Sequence, residues 1–217
     1  MEQPPINWQE AMKPLLKKYK NKEHPLEAKN LYQMLVMVVL SAQTTDAIIN
    51  NIAADLFKTF PTMQKLSKST EEQLYPYISK VRNYKTKAGW LIEIAGAIKK
   101  DASIPTTMDD LVALPGIGRK SANVIKRFAK APAEGVVVDL HVVRVAPRLG
   151  IVIGDNAEKI EKQLMATLPQ NEWDAGMAIS FLGREICRPT PLCPECLMRP
   201  VCAFYNNWIP NKLNQNL

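Results

Sequence analysis

Apolar residues recur three or four apart along most of this chain, and the only strand-like run is Val136 to Val138. The first pattern gathers side chains on one face of a helix. Three residues of the second kind cannot build a sheet without partner strands. Together they constrain the fold to all-α. Ile49, Ile52, Ala53 and Leu56 form one stripe, and Leu91, Ile94, Ala95 and Ile98 another. Ile160, Leu164 and Leu168, behind a cap at Asn156, form a third. Pro61, Pro76, Pro105, Pro115, Pro132, Pro147 and Pro169 punctuate the pattern, most of them near an expected helix end. With 217 residues, 47% of them hydrophobic, the chain can bury a full core as one domain or as two small ones sharing an interface.

A formal net charge of +7 favours a polyanionic partner, with nucleic acid among the candidates. Met1 to Gln9 has neither the basic start nor the apolar stretch of a signal peptide. The longest apolar run, Met34 to Leu40, is far too short to span a bilayer. A cytosolic protein with no membrane partner is therefore expected. The tail from Asn206, rich in Asn with Lys212 its sole charge, reads as a loosely held terminus. All four cysteines lie between Cys187 and Cys202, which in a reducing compartment points to metal rather than disulfides. Their pattern, Cys187-x5-Cys193-x2-Cys196-x5-Cys202, leaves zinc and a 4Fe-4S cluster both open, although zinc sites more often pair two short Cys-x2-Cys knuckles.

The string Leu114-Pro115-Gly116-Ile117-Gly118-Arg119-Lys120-Ser121-Ala122 stands between two helical stretches. Thr107 and Asp110 have the spacing of a capping box for the helix before it, and Ser121 to Ala129 reads as the helix after it. Glycines on either side of Ile117 let the backbone turn tightly with its N–H groups exposed, while Ile117 anchors the turn in the core. Such a turn at a helix amino terminus suits a phosphate oxygen and reads no base. An isolated Gly-x-Gly is more often an ordinary helix connection. The whole string is much more specific: it resembles the helix-hairpin-helix of the DNA glycosylase superfamily, and of endonuclease III in particular. The resemblance extends over roughly Leu31 to Tyr205.

That resemblance implies chemistry. The lysine at the position of Lys120 is the family's nucleophile, and the aspartate beside it corresponds to Asp139, in Val137-Val138-Asp139-Leu140-His141. A neutral lysine amine attacks C1′ of the damaged nucleotide, displaces the base and forms a Schiff base, after which β-elimination breaks the strand on the 3′ side. Burial against apolar residues and proximity to basic neighbours such as Arg119 would each favour the neutral amine such an attack needs. Asp139 is expected to take the lysine proton and to stabilise positive charge developing on the sugar. The plainer readings are a solvated surface lysine and a cap for a helix from Leu140 to Leu149. A carboxylate held at a helix start is also held still, so capping and catalysis are compatible. His141 matches the histidine of the family's Val-Asp-Thr-His, with Leu140 in place of threonine, and reads as a phosphate or structural contact.

An enzyme acting on a base inside a duplex must extrude it and fill the gap. Leu40-Ser41-Ala42-Gln43-Thr44-Thr45-Asp46 resembles the family segment whose glutamine enters that gap, which assigns the task to Gln43 and places Asp46 near the flipped nucleotide. Their plainer readings are an exposed helix-end residue and a cap for a helix from Ala47. A second wedge belongs to the family's Gly-Leu-Tyr-Asn-x-Lys-Ala segment, here Arg82-Asn83-Tyr84-Lys85-Thr86-Lys87-Ala88, with Arg82 for glycine and Asn83 for leucine. An asparagine can hydrogen-bond the orphaned base where leucine only replaces stacking, so dependence on the opposite base is expected.

Endonuclease III carries a 4Fe-4S cluster on a similar loop whose first gap is one residue longer, which makes Cys187, Cys193, Cys196 and Cys202 the expected ligands. Arg184, Arg188 and Arg199 around that loop are expected to meet phosphates or solvent. The resemblance further implies a monomer of two helical lobes: a central bundle over residues 28–136 that carries the hairpin (Gly116, Gly118), and a cluster lobe from 1–27 with 137–217. Its partner would be double-stranded DNA bearing damaged bases, oxidised pyrimidines by family habit, or abasic sites, met at the nucleoid in the cytoplasm. Adenine-mismatch glycosylases share hairpin and cluster but use a glutamate ahead of the Gln43 region, and Leu31 to Thr45 contains no acid. A noncatalytic DNA-binding iron-sulfur sensor would leave Lys120 and Asp139 together as a coincidence.

Overall fold

The computed structural model describes residues 5–206; the first four residues and the Asn-rich tail beyond Asn206, expected to be loosely held, lie outside the described residues. In chain order the helices are α1 (Trp8–Tyr19), α2 (Leu31–Ser41), α3 (Asp46–Thr59), α4 (Met63–Leu66), α5 (Glu71–Ile78), α6 (Tyr84–Ile98), α7 (Met108–Val112), α8 (Arg119–Phe128), α9 (Leu140–Leu149), α10 (Ala157–Thr167) and α11 (Ala175–Glu185). Among the described residues there is no strand, and Val136–Val138 is a buried loop. No described helix is long and apolar enough to cross a membrane. The chain divides into two compact units: Glu23–Glu134, and a second built from the segment ending at Lys22 together with the one beginning at Gly135.

In the unit Glu23–Glu134, α2 is the axis. From Tyr32 to Leu40 every residue except Gln33 is buried, and a helix apolar on all sides must be surrounded. α3, α6 and α8 pack against it. Its start is fixed by Asn30, whose side chain accepts the Gln33 N–H at 2.9 Å, while the Gln33 carboxamide accepts the Lys29 N–H at 2.9 Å. The stripes face inward as their spacing requires, with Ile49 and Leu56 of α3 and Leu91, Ile94 and Ala95 of α6 buried. Each such side chain contributes roughly 1.5–3 kcal/mol by leaving water.

The second unit is organised by α11, in which every residue from Ala175 to Gly183 is buried. Gly176, Ser180 and Gly183 recur on one face of it. A Cβ on Gly176 would stand 2.3 Å from the Val137 carbonyl oxygen, and one on Gly183 would stand 2.9 Å from the His141 Cβ. The loop before α9 and the first turn of α9 therefore lie directly on α11. α1 docks on the same helix through Tyr19, whose ring lies 5.6 Å from that of Phe181 and whose hydroxyl donates to Glu185 at 2.8 Å. α10 buries Ile160 and Leu164, and Asn156 caps it by accepting the Lys159 N–H at 3.0 Å.

Two local features differ from the sequence pattern. α8 begins at Arg119 rather than Ser121, because the extended Gly118 serves as its N-cap, which puts Lys120 inside the first helical turn. Thr107 accepts the Asp110 N–H at 3.3 Å, but Asp110 returns its carboxylate to the Thr107 hydroxyl at 2.6 Å rather than to the backbone, so only half of a capping box forms.

Gly176→Ala forces a methyl into a backbone oxygen and is expected to destabilise the protein by roughly 1–3 kcal/mol in urea unfolding. Gly96→Ala, on a position of α6 with nothing within 4 Å of the added Cβ, is expected to stabilise by up to about 1 kcal/mol.

Candidate nucleic-acid interface and active site

The hairpin's two glycines are there for different reasons. Gly116 has φ of 75° and a Cβ there would meet the Trp90 ring at 2.4 Å, so conformation and packing both exclude a side chain. Ile117 between them is 5% exposed and anchors the turn. Gly118 has an ordinary extended backbone, φ −94° and ψ 176°, and nothing lies within 4 Å of an added Cβ. Nothing within the protein requires glycine at that point. The first turn of α8 follows, where any helix leaves its leading backbone N–H groups without intrahelical partners, and Arg119 and Lys120 lie on it. Lys120 is exposed; it lies in the first turn of α8, ahead of the buried run from Ala122 to Lys126.

Asp139 is fixed from three directions. As the N-cap of α9 its Oδ1 accepts the N–H groups of His141 and Val142, each at 2.9 Å. Its Oδ2 accepts the Ser180 hydroxyl of α11 at 2.6 Å and lies 3.6 Å from the Arg184 guanidinium. Burial, the largest single influence, pushes its carboxyl up, but the Ser180 hydrogen bond, the backbone N–H of Val142 and the positive neighbours outweigh it and leave it below the usual carboxylate value. Arg184, expected to meet phosphate or solvent, is thus a neighbour of Asp139.

Gln43 and Asn83 sit on two turns of the unit Glu23–Glu134, both exposed and both with φ of 56°. Ala42 (φ −55°, ψ 117°) and Gln43, closed by the Thr44 N–H on the Ser41 carbonyl at 3.0 Å, form a type II turn with glutamine where glycine is favoured. Asn83 is the left-handed residue before α6. The turns are joined: the Arg82 N–H donates to the Thr44 hydroxyl at 3.2 Å. From the first turn of α6, Lys87 donates to the Leu40 carbonyl at 2.8 Å and to the Ala42 carbonyl at 2.5 Å. Its side chain is 2% exposed; burial, reinforced by the charge of Arg82, lowers its ammonium to about 8. Asp46 opens α3, one residue inside its N-cap Thr45, and so is not the cap itself.

Cys187, Cys193, Cys196 and Cys202 line one small pocket together with Leu149, Leu182 and Phe204. Burial pushes the thiols of Cys193, Cys196 and Cys202 up. Among the described residues no three cysteine, histidine or acidic side chains converge on one ion. The short first gap is held by Arg148 of α9, which donates to the Arg188 carbonyl at 2.8 Å and the Pro189 carbonyl at 3.2 Å and points an N–H at the Cys187 sulfur, 3.7 Å away. One turn earlier, Arg144 donates to the Gly183 carbonyl at 3.0 Å and the Cys187 carbonyl at 3.2 Å. It also meets His141 Nδ1 at 3.2 Å. A guanidinium only donates, so that nitrogen accepts and the ring proton sits on Nε2. His141 is thus part of the link between α9 and the cysteine loop.

Ser180 and Lys87 escape a reading of the sequence, though each leaves a trace in it. Ser180 is a polar residue inside the apolar run of α11, and Lys87 occupies a core position in the spacing Lys87, Leu91, Ile94 of α6.

Comparison with known proteins closes the identification. The family profile of the HhH-GPD superfamily base excision DNA repair proteins matches residues 36–170. Endonuclease III of Thermotoga maritima is 36% identical over 180 residues, covering 80% of this chain and 83% of that one. Endonuclease III of Synechocystis is 33% identical over 195 residues, 87% of this chain and 88% of its own. A solved structure of a trapped endonuclease III–DNA covalent intermediate, an estranged-adenine complex, superposes with a TM-score of 0.82 at 31% identity, covering 95% of this chain and all of that one. With that match in sequence and in fold, the chain belongs to the endonuclease III family of the HhH-GPD superfamily of base excision DNA repair proteins.

Proposed function

We propose that this protein is a bifunctional DNA glycosylase and abasic-site lyase that removes damaged bases, oxidised pyrimidines first among them, from double-stranded DNA. The observation that carries the reading is Lys120, an exposed amine in the first turn of α8, two residues after Gly118, where no described atom lies within 4 Å of an added Cβ. A phosphate oxygen can approach the bare backbone at Gly118 and take the N–H groups of that turn. The neighbouring sugar then comes within reach of Lys120 Nζ. The amine forms a bond to C1′ as the C1′–N bond to the base breaks. The base leaves with a proton, the attached nitrogen loses one, its lone pair opens the C1′–O4′ bond as O4′ takes up a proton, and the resulting protonated Schiff base permits loss of a C2′ proton with cleavage of the C3′–O bond.

Asp139 stays a carboxylate through neutral pH, since its carboxyl lies below the usual value. That makes it a weak proton acceptor and a good electrostatic partner for the cationic sugar. Both lone pairs of Oδ1 are engaged by α9, so the spare capacity is on Oδ2. Gln43 and Asn83 fill the gap left by the extruded nucleotide, Asp46 lies near that nucleotide, and His141 offers Nε2–H to the backbone. The protein acts as a monomer in the cytoplasm, with residues 28–136 as the hairpin lobe and 1–27 with 137–217 as the cluster lobe.

The four thiols fit a 4Fe-4S cluster. A single zinc ion draws its ligands to within about 2.3 Å of one point, whereas a four-iron cluster takes one thiolate per iron. Four thiols that line one pocket supply one thiolate for each iron. When bound, the cluster supplies a covalent staple for the loop; Arg144 and Arg148 orient that loop toward α9.

Lys120→Ala is expected to keep duplex binding and to lose borohydride trapping on abasic DNA by at least about a hundredfold. Asp139→Asn keeps the helix cap and is expected to slow base release by about a hundredfold or more. Normal trapping by Lys120→Ala overturns the lyase reading, and binding without base release by the unaltered protein supports a noncatalytic sensor instead. Gly118→Ser supplies a better cap and is expected to leave urea stability equal or higher while weakening duplex affinity about tenfold. Purified anaerobically, the protein is expected to be brown, with iron by elemental analysis; a colourless zinc protein removes the cluster.

A further inference from the structure

We infer that Lys87 is a positioning residue for the gap-filling pair, setting the conformation of Gln43 by pinning the central peptide of its turn. The inference rests on the proposed role of Gln43. In the turn Ser41 to Thr44 the peptide joining Ala42 to Gln43 is the central one. Rotating that peptide by half a turn converts type II to type I geometry and moves Gln43 from positive to negative φ. For glutamine the type I form is the less strained, because a left-handed residue with a side chain costs roughly 1–2 kcal/mol. Something must hold the strained form, and Lys87 donates to the oxygen that would swing away, the Ala42 carbonyl at 2.5 Å.

The same ammonium takes the Leu40 carbonyl at 2.8 Å. It thereby stands at the carboxyl end of α2, where unbonded carbonyls and the negative end of the helix favour a cation. Lys87 is itself rigidly placed, since its backbone N–H bonds to the Asn83 carbonyl at 3.1 Å. One side chain therefore couples the left-handed residue before α6 to the left-handed residue after α2, and the Arg82 N–H on Thr44 makes a second tie between the turns. Shifting either turn shifts the spacing between Gln43 and Asn83. The expected consequence is that Lys87 matters for extrusion of a base and for the response to the opposite base, while adding little to phosphate binding.

The test is single-turnover base release from a lesion duplex carrying 2-aminopurine opposite the lesion, measured for Lys87→Met, Gln43→Ala and the double variant. Lys87→Met alone is expected to lose at least about tenfold in release and the 2-aminopurine signal, with undamaged-duplex affinity within about twofold. On the Gln43→Ala background it is expected to add less than about twofold, because it acts through Gln43. Equal losses on both backgrounds, or wild-type release by Lys87→Met beside an impaired Gln43→Ala, overturn the Lys87 assignment. Wild-type release by Gln43→Ala instead overturns the gap-filling reading and takes the Lys87 inference with it. If Lys87→Met does not fold, Lys87→Arg, with charge and donors on a bulkier head, carries the same comparison: an expected loss of about threefold or more that vanishes on the Gln43→Ala background.

Discussion

Asp139 depends on a side chain that is not there. The Val137 carbonyl oxygen passes so close to α11 that a methyl on Gly176 would stand 2.3 Å from it. Interiors packed to crystal-like density leave no slack for such a contact. Because the loop lies flat on α11 at Gly176, the residue two positions after Val137 meets the residue one helical turn after Gly176, and the Asp139–Ser180 hydrogen bond follows. Gly183 continues the same face and admits the first turn of α9. The carboxylate is then held by the N–H groups of α9 on one oxygen and by α11 on the other. A group fixed that firmly costs nothing to reorganise when charge appears beside it.

α9 also connects Asp139 to the cysteine loop within this unit. Asp139 begins the helix, and Arg144 and Arg148 follow along it, reaching the backbone of Cys187, Arg188 and Pro189 and the Cys187 sulfur. Arginine suits this because its planar fork satisfies several carbonyls at once without losing its charge.

What the sequence disclosed and what it withheld divide along contact distance in the chain. The bounds of α9, its cap at Asp139 and the cap at Asn156 are local features, and each stands in the structure where its residues imply. The hairpin's string is local too. The exposure of Lys120 is not, since it depends on how closely the rest of its unit packs on the first turn of α8. Ser180 acts on a residue 41 positions away, and Lys87 on residues 45 and 47 positions away. A buried serine or lysine in an apolar stripe shows in sequence that some polar partner must exist; only the fold shows which.

Of the four non-glycine residues with positive φ among the described residues, two need little explanation. Lys99 ends α6 and Lys130 follows the end of α8, where left-handed residues commonly close helices. Gln43 and Asn83 are different: both are exposed, and neither conformation is an ordinary helix end. Asparagine tolerates the left-handed region better than leucine, because its short carboxamide bonds locally. The departure from leucine at Asn83 therefore lowers backbone strain while it exchanges an apolar wedge for a group with two donors and an acceptor. The departure from glycine at Arg82 leaves its backbone N–H in the tie to Thr44 and adds a cation near Lys87. The tie to Thr44 runs through the Arg82 backbone and the ties to Leu40 and Ala42 through Lys87, so neither the Arg82 nor the Asn83 side chain makes these links between the two turns.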